Sequence, residues 1–268
     1  MSKVVFITGA SSGIGKAIGD YLQSRGYTIY GTSRNPEKYT ASSFPLVALD
    51  VTKFDSIQNS IEEILQKEGR IDVLINNAGM GITGPLEETP TSEIKRVFDT
   101  NFYGPLEVTK TVLPTMREQK SGLIINITSI AAYMGLPFRG IYSATKAALE
   151  ITTEAYRMET KAFGIEMTNL APGDFATNIA AGRYHAPVIK NSPYEKEYQK
   201  TLTMMDAHVD EGNDPLEVAK AVENIINTSS PKVHYKVGSR LQKFSVFLKR
   251  FLPSKKYEKM LMKHYNLK

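Results

Sequence analysis

Residues 4–15 read Val4-Val5-Phe6-Ile7-Thr8-Gly9-Ala10-Ser11-Ser12-Gly13-Ile14-Gly15, a β-branched run followed at once by three spaced glycines. Four apolar residues bounded by turn formers suit a strand buried on both faces. The spacing G-x-x-x-G-x-G then opens a helical pattern over 13–25. Each glycine has its own task in such a strand–turn–helix. Gly9 permits the tight turn, Gly13 lets backbone approach a pyrophosphate, and Gly15 lets helix and strand pack closely. The helix N-terminus offers free N–H groups and a positive partial charge to phosphate. An isolated glycine turn would look the same; its place after the first strand of an alternating chain favours dinucleotide binding.

That alternation continues outward. Short apolar runs at 27–30, 46–49, 73–75, 123–127, 166–170 and 233–237 are separated by helical patterns near 53–68, 92–118, 141–163 and 214–228. Strands alternating with helices predict βαβ units with right-handed crossovers. The expected fold class is α/β: one Rossmann-type, doubly wound parallel sheet of about seven strands over residues 1–238, with helices on both faces. Two segments stand apart. Residues 174–213 are rich in Tyr, Met, His, Asn and Pro and are expected to form an irregular lid. Residues 239–268, broken by Pro253, are expected to form a C-terminal helical tail.

Composition narrows the function classes. With 41% hydrophobic and 23% charged residues, a disordered chain is excluded. The lack of cysteine excludes disulfides, thiolate metal sites and a cysteine nucleophile, and the four scattered histidines give no ligand spacing, so no metal is expected. No apolar run approaches a membrane span, and Met1-Ser2-Lys3 leads straight into the first strand. These features predict an intracellular, cytoplasmic protein. The net charge of +5 is uneven: residues 239–268 hold nine Lys/Arg against Glu258 alone, which is +8 and leaves −3 for the rest. A mildly acidic body argues against nucleic-acid binding. In the tail, Leu241, Phe244, Leu248, Phe251 and Leu252 follow helical spacing, with Lys243, Lys249 and Arg250 elsewhere on the wheel. Three readings stay open: the tail roofs a pocket, lies on an anionic membrane surface, or contacts a partner or subunit.

Tyr142 is the only one of fourteen tyrosines with a lysine four residues on. Tyr142 and Lys146 therefore share a helix face. An ammonium close to a phenol favours the phenolate, which suits proton exchange with an alcohol or ketone near neutral pH. Ser129, thirteen residues earlier, can hydrogen-bond the same substrate oxygen.

Further segments complete a pattern. Asp50-Val51 follows the third strand and Asn76-Asn77-Ala78-Gly79 the fourth; Asn101-Phe102-Tyr103-Gly104, Asn126-Ile127-Thr128-Ser129, Tyr142-Ser143-Ala144-Thr145-Lys146 and Pro172-Gly173 with Thr177 come next, in that order. Over residues 3–238 the chain resembles the short-chain dehydrogenase/reductase family. Gly84-Pro85-Leu86-Glu87, Gly135-Leu136-Pro137-Phe138 and the extended C-terminus look like its hydroxysteroid and retinol dehydrogenase branch. The resemblance implies that Tyr142 is the general acid in reduction and the base in oxidation. It implies that Lys146 binds the nicotinamide ribose and tunes Tyr142, that Ser129 polarises the carbonyl, and that Asn101 holds a helix irregularity and a water in a proton relay. It implies cofactor contacts from Gly9, Ser11, Ser12, Gly13, Ile14, Gly15, Asp50, Val51, Asn77, Ala78, Gly79, Tyr142, Lys146, Pro172, Gly173 and Thr177. It also implies a homo-oligomer, dimer or tetramer, built on helices near 101–118 and 141–163. Thr145, Ala147 and Ala148 are small enough for close helix packing there, though small residues also fit against a sheet.

The second strand ends Gly31-Thr32-Ser33-Arg34-Asn35. An acid there would bind the ribose 2′-OH of NAD, whereas arginine accommodates the 2′-phosphate of NADP. Ser33 and Arg34 favour NADP(H) over NAD(H), with Ser11 and Lys16 as further candidates. The pocket walls are expected at 80–86, 131–138 and the lid, where Met80, Met134, Ile179, Met204 and Met205 join Ile82, Tyr133, Leu136, Phe138, Phe175 and Tyr184 in an apolar, Met-rich lining for a lipophilic carbonyl or alcohol substrate. The reading is an NADP(H)-dependent oxidoreductase. Its rivals are a non-catalytic NADP(H)-binding regulator and a membrane-peripheral scaffold that uses the tail.

Overall fold

A computed structural model describes residues 2–175, 182–207 and 213–267. Its strands, in chain order, are β1 (Val4–Ile7), β2 (Thr28–Ser33), β3 (Leu46–Ala48), β4 (Val73–Asn76), β5 (Ile82–Thr83), β6 (Gly122–Ile127), β7 (Ile165–Pro172), β8 (Tyr184–His185) and β9 (His234–Val237). Its α-helices are α1 (Gly13–Ser24), α2 (Phe54–Glu68), α3 (Thr91–Phe98), α4 (Gly104–Gln119), α5 (Gly140–Thr160), α6 (Glu195–Ala207), α7 (Leu216–Ile226), α8 (Arg240–Phe251) and α9 (Ser254–His264). Seven strands form one parallel sheet in the order β3-β2-β1-β4-β6-β7-β9. The chain winds outward from β1 through β2 to β3, then restarts at β4 and winds the other way. The reversal lies between β1 and β4, where a parallel α/β sheet opens a crevice at its carboxyl edge.

Strand β1 is apolar and buried at every position, so both faces of the sheet are dry at its centre. Val4 and Phe6 of β1 enter one core with Ile57, Ile61 and Ile64 of α2 and Val108, Val112 and Met116 of α4. Val5 and Ile7 enter the other with Ile18 and Leu22 of α1 and Val218, Val222 and Ile225 of α7. This is the alternation of a pleated strand covered by helices on both sides.

Two departures from the sequence reading have local causes. The stretch 92–118 is not one helix: α3 and α4 are joined by a π-helical turn over Asp99–Tyr103 with Asn101 fully buried at its centre. The segment expected to be irregular contains α6, which is anchored by buried Tyr198. The Tyr198 hydroxyl donates to the carbonyls of Thr83 (3.1 Å) and Ala186 (2.9 Å). Those carbonyls lie in β5 and just after β8, which pair in parallel as a second small sheet. The tail is two helices meeting at Pro253, the N-cap of α9.

Gly15 sits at the tightest point of the first turn. A Cβ there would lie 2.5 Å from Asn77 Nδ2 and 2.5 Å from the Gly9 carbonyl oxygen. Backbone cannot yield as a flexible side chain can. Gly15→Ala therefore lowers folding stability by about 1–3 kcal/mol, read as a shifted midpoint in urea unfolding.

Candidate active site

A cavity of about 610 Å³ lies over the carboxyl ends of β1, β2, β4, β6 and β7. One end is the glycine turn. Gly9 and Gly13 adopt φ of +66° and +56°, the left-handed region that favours glycine. Ser12 caps α1 without a side-chain hydrogen bond, and no acid stands in the first turn. Helix N–H groups are thus left to an anion, and Gly9, Ser11, Ser12, Gly13 and Ile14 all line the cavity. Gly15 lies behind them, packed against Asn77 and Gly9. Opposite, the Thr8 hydroxyl accepts the N–H groups of Asn77 and Ala78, both at 3.0 Å, and Asn77 Nδ2 returns bonds to the carbonyls of Thr8 and Gly9.

Ser33, Arg34, Asp50 and Val51 line the neighbouring wall. Burial pushes the Asp50 carboxyl up. Hydrogen bonds from the Thr52 hydroxyl and N–H, with the charges of Lys53 and Arg34, more than offset this and hold it below the usual range. Lys16 is half-exposed and paired with Asp20, outside the cavity. This half of the site fits a dinucleotide: an open helix N-terminus, bare backbone at the turn and a guanidinium at the far wall.

Asn77, Ala78, Gly79, Ser129, Tyr142, Lys146, Pro172 and Gly173 line the rest. Tyr142 and Lys146 lie one turn apart on α5, and both are buried. Lys146 Nζ donates to the Ile127 carbonyl at 2.8 Å. Ser129 ends β6 as the cap of a 3₁₀ turn, its hydroxyl accepting the Ala131 N–H at 3.1 Å. Asn101 does not reach the cavity. Its amide clasps Met80, accepting the backbone N–H at 2.8 Å and donating to the carbonyl at 2.9 Å, and it also donates to Thr145 Oγ1. Thr145 therefore faces inward and offers no small-residue surface to a partner.

The substrate walls agree with expectation in part. Met80, Phe175, Met204 and Met205 line the main cavity, and Ile179 lies outside the described residues. Ile82 borders a small side cavity with Arg139, Tyr142 and Arg183. Tyr184 packs in the cluster of Ile82 and Tyr142, and Leu136 bridges that cluster to the tail. Phe138 turns away to pack on Tyr198, ring centroids 5.4 Å apart. Tyr133 donates its hydroxyl to buried Glu150; burial and the Glu150 charge push that phenol far up. Beside the expected methionines, the lining brings Arg96, Arg139 and Arg183, with His264 and Tyr265 from the end of the tail. The Arg139 guanidinium lies 5.4 Å from the Tyr142 ring centroid. Burial pushes the Tyr265 phenol up, against the pull of Arg139. Of the three readings of the tail, closing the site is the one these contacts describe. Thr177 lies outside the described residues. Among the described residues no cluster could hold a metal ion, and no helix is long and apolar enough to cross a membrane.

A family model described as short chain dehydrogenase matches residues 3–187. The 3-ketodihydrosphingosine reductase of Bacteroides thetaiotaomicron is 37% identical over 94% of this chain and 93% of its own. A short-chain dehydrogenase from Streptomyces avermitilis superposes with a TM-score of 0.84 at 31% identity, covering 99% of this chain and 98% of that one. The alcohol dehydrogenase of Thermococcus sibiricus, solved with 5-hydroxy-NADP, aligns at 0.71 and 25% identity over 90% and 97% of the two chains. The chain belongs to the short-chain dehydrogenase/reductase family of oxidoreductases.

Burial pulls the Lys146 ammonium down to about 8 from an ordinary 10.5, while the Glu150 charge opposes the shift. Between those values the unfolded chain holds the extra proton, so this group makes stability rise with pH across that window. Cofactor-free Lys146→Met is accordingly more stable than the parent at neutral pH. The difference shrinks as pH climbs through the window, as thermal melts across that range will register.

Proposed function

We propose that the protein is an NADP(H)-dependent oxidoreductase that interconverts a ketone or aldehyde and an alcohol on a lipophilic substrate. The observation that carries this reading is the convergence of Ser129, Tyr142 and Lys146 on the cavity that holds the glycine turn. A bound reduced nicotinamide supplies hydride to the substrate carbon. The chain's own residues do the rest. Ser129 holds the substrate oxygen, Tyr142 gives it a proton in reduction and takes one in oxidation, and Lys146 holds the ribose and favours the phenolate. Asn101, through Met80, braces the backbone beside Gly79.

Ser33 and Arg34 at the end of β2 support NADP(H): a 2′-phosphate pairs with a guanidinium through charge-assisted hydrogen bonds, and no acid stands there to repel it. Met80, Phe175, Met204 and Met205 support a lipophilic substrate, as do the hydroxysteroid-dehydrogenase-like segments and the activity named for the Bacteroides relative. Arg139 supports a polar or anionic group on the same molecule. Exposed Tyr103, Ile151 and Met158 on the π-turn and α5 support a homo-oligomer through these elements. The lack of cysteine supports a cytoplasmic setting. A non-catalytic regulator is the weaker reading, since binding a nucleotide needs no proton donor beside it.

NADPH oxidation followed with a panel of long-chain ketones tests the reading. Tyr142→Phe lowers kcat by about 10²–10⁴-fold with cofactor affinity retained. Arg34→Ser raises the KM for NADPH by about 10–100-fold and leaves that for NADH unchanged, the loss of a charged hydrogen bond. Tight NADPH binding without turnover on any ketone favours the regulator.

A further inference from the structure

The tail carries a second face that the closed site does not use. Its inner face is fastened. Val246 and Tyr257 are buried against Ile130 and Met134, in and beside the turn that follows Ser129. The Tyr257 hydroxyl donates to Met134 Sδ at 2.8 Å, and Ser239 and Gln242 form a capping box at the start of α8. Gln242 Nε2 also donates to Asp174 Oδ2 at 2.7 Å, tying α8 to the loop after β7.

The outer face meets no described residue that covers it. Leu241, Phe244, Phe247 and Phe251 recur at helical spacing and are 75%, 51%, 53% and 64% exposed. Phe247 packs with Phe244 and Phe251 at centroid distances of 5.9 and 4.4 Å, which makes one continuous aromatic ridge. Exposed Arg240, Lys243 and Arg250 accompany it on α8, and exposed Lys255, Lys256, Lys259 and Lys263 follow on α9 with Glu258 the only acid. None of these cations forms an ion pair with a described residue. The body of the protein, at −3, lacks the charge to neutralise a +8 tail.

We propose that α8 and α9 form a docking face for an anionic membrane surface, with the phenylalanine ridge entering the headgroup boundary and the lysines and arginines facing the phosphates. The pattern is that of an interfacial helix, which lies on a bilayer and does not span it. Charge decides between occupants. A second copy docked ridge to ridge would bring two +8 tails together, and like charges across an isologous interface oppose it. A lipid surface supplies both the apolar layer and the negative charge. Docking also sets the cavity wall made by His264 and Tyr265 within a few residues of the membrane-bound segment.

Co-sedimentation of the full chain with vesicles tests this. One set is phosphatidylcholine alone and the other about three parts phosphatidylcholine to one part phosphatidylglycerol. The expected result is binding to the anionic set about tenfold or more above the neutral set. Raising ionic strength from about 0.1 M to about 1 M, which cuts the Debye length from about 10 Å to about 3 Å, releases it. The variant F244S/F247S/F251S loses binding to anionic vesicles while keeping the parent melting temperature and cofactor affinity. Equal binding to both vesicle sets, no binding to either, or full binding by the triple variant overturns the proposal. So does a parent dimer that this variant converts to monomer without vesicles, because the ridge is then a subunit contact.

Discussion

The clamp between Thr8 and the Asn77–Ala78 backbone sets the geometry on which the site depends. One hydroxyl accepts two N–H groups, and the Asn77 amide returns two bonds to the carbonyls of the first turn. The clamp joins the ends of β1 and β4, the two central strands from which the chain winds in opposite directions. The strands themselves are spaced by their pairing; the clamp holds together the loops that leave them. The absence of a side chain on Gly15 follows from the same constraint, since the space beside Gly9 is already filled by Asn77.

Helix α5 then fixes the chemistry by a single repeat. Tyr142, Lys146 and Glu150 follow at intervals of four, all buried. Burying a lysine costs free energy unless the charge is answered. Here the Ile127 carbonyl answers directly, and Glu150, one turn on, answers at longer range. Glu150 is held in turn by Tyr133 and by His234 of β9, whose Nδ1 lies 2.8 Å from Oε1. A strand at the sheet edge thereby contributes to the electrical environment of the reacting group.

The elements that carry the cofactor half were legible because their signals are local. Val4–Ile7, the glycine turn and the Tyr142–Lys146 spacing each state their geometry within a few residues. The substrate walls were legible only in part: Met80, Phe175, Met204 and Met205 face the cavity, but the rest is made by packing between segments far apart in the chain. Ile82, Tyr133, Leu136, Phe138 and Tyr184 are apolar or aromatic residues of the right region, yet a short apolar stretch reads alike whether it faces a cavity or a neighbouring helix. Arg139 carries a local signal, since a guanidinium three residues before Tyr142 lies at the start of the same helix. Helix α6 was hidden by its weak apolar stripe. It is held by the bonds of Tyr198 to β5 and to the residue after β8, and sequence spacing cannot announce those.

The parallel sheet has one more consequence, concerning how such a protein can change over generations. Every strand of the large sheet runs the same way, so each ends at the rim where the cavity lies. The last strand, β9, is no exception: it pairs with β7 in parallel and releases the chain at Gly238, beside Gly173. Any sequence appended after it emerges at the reacting rim with the scaffold already complete. New selectivity or a new cellular address can therefore be added by extension, leaving the nucleotide half and the proton donor untouched.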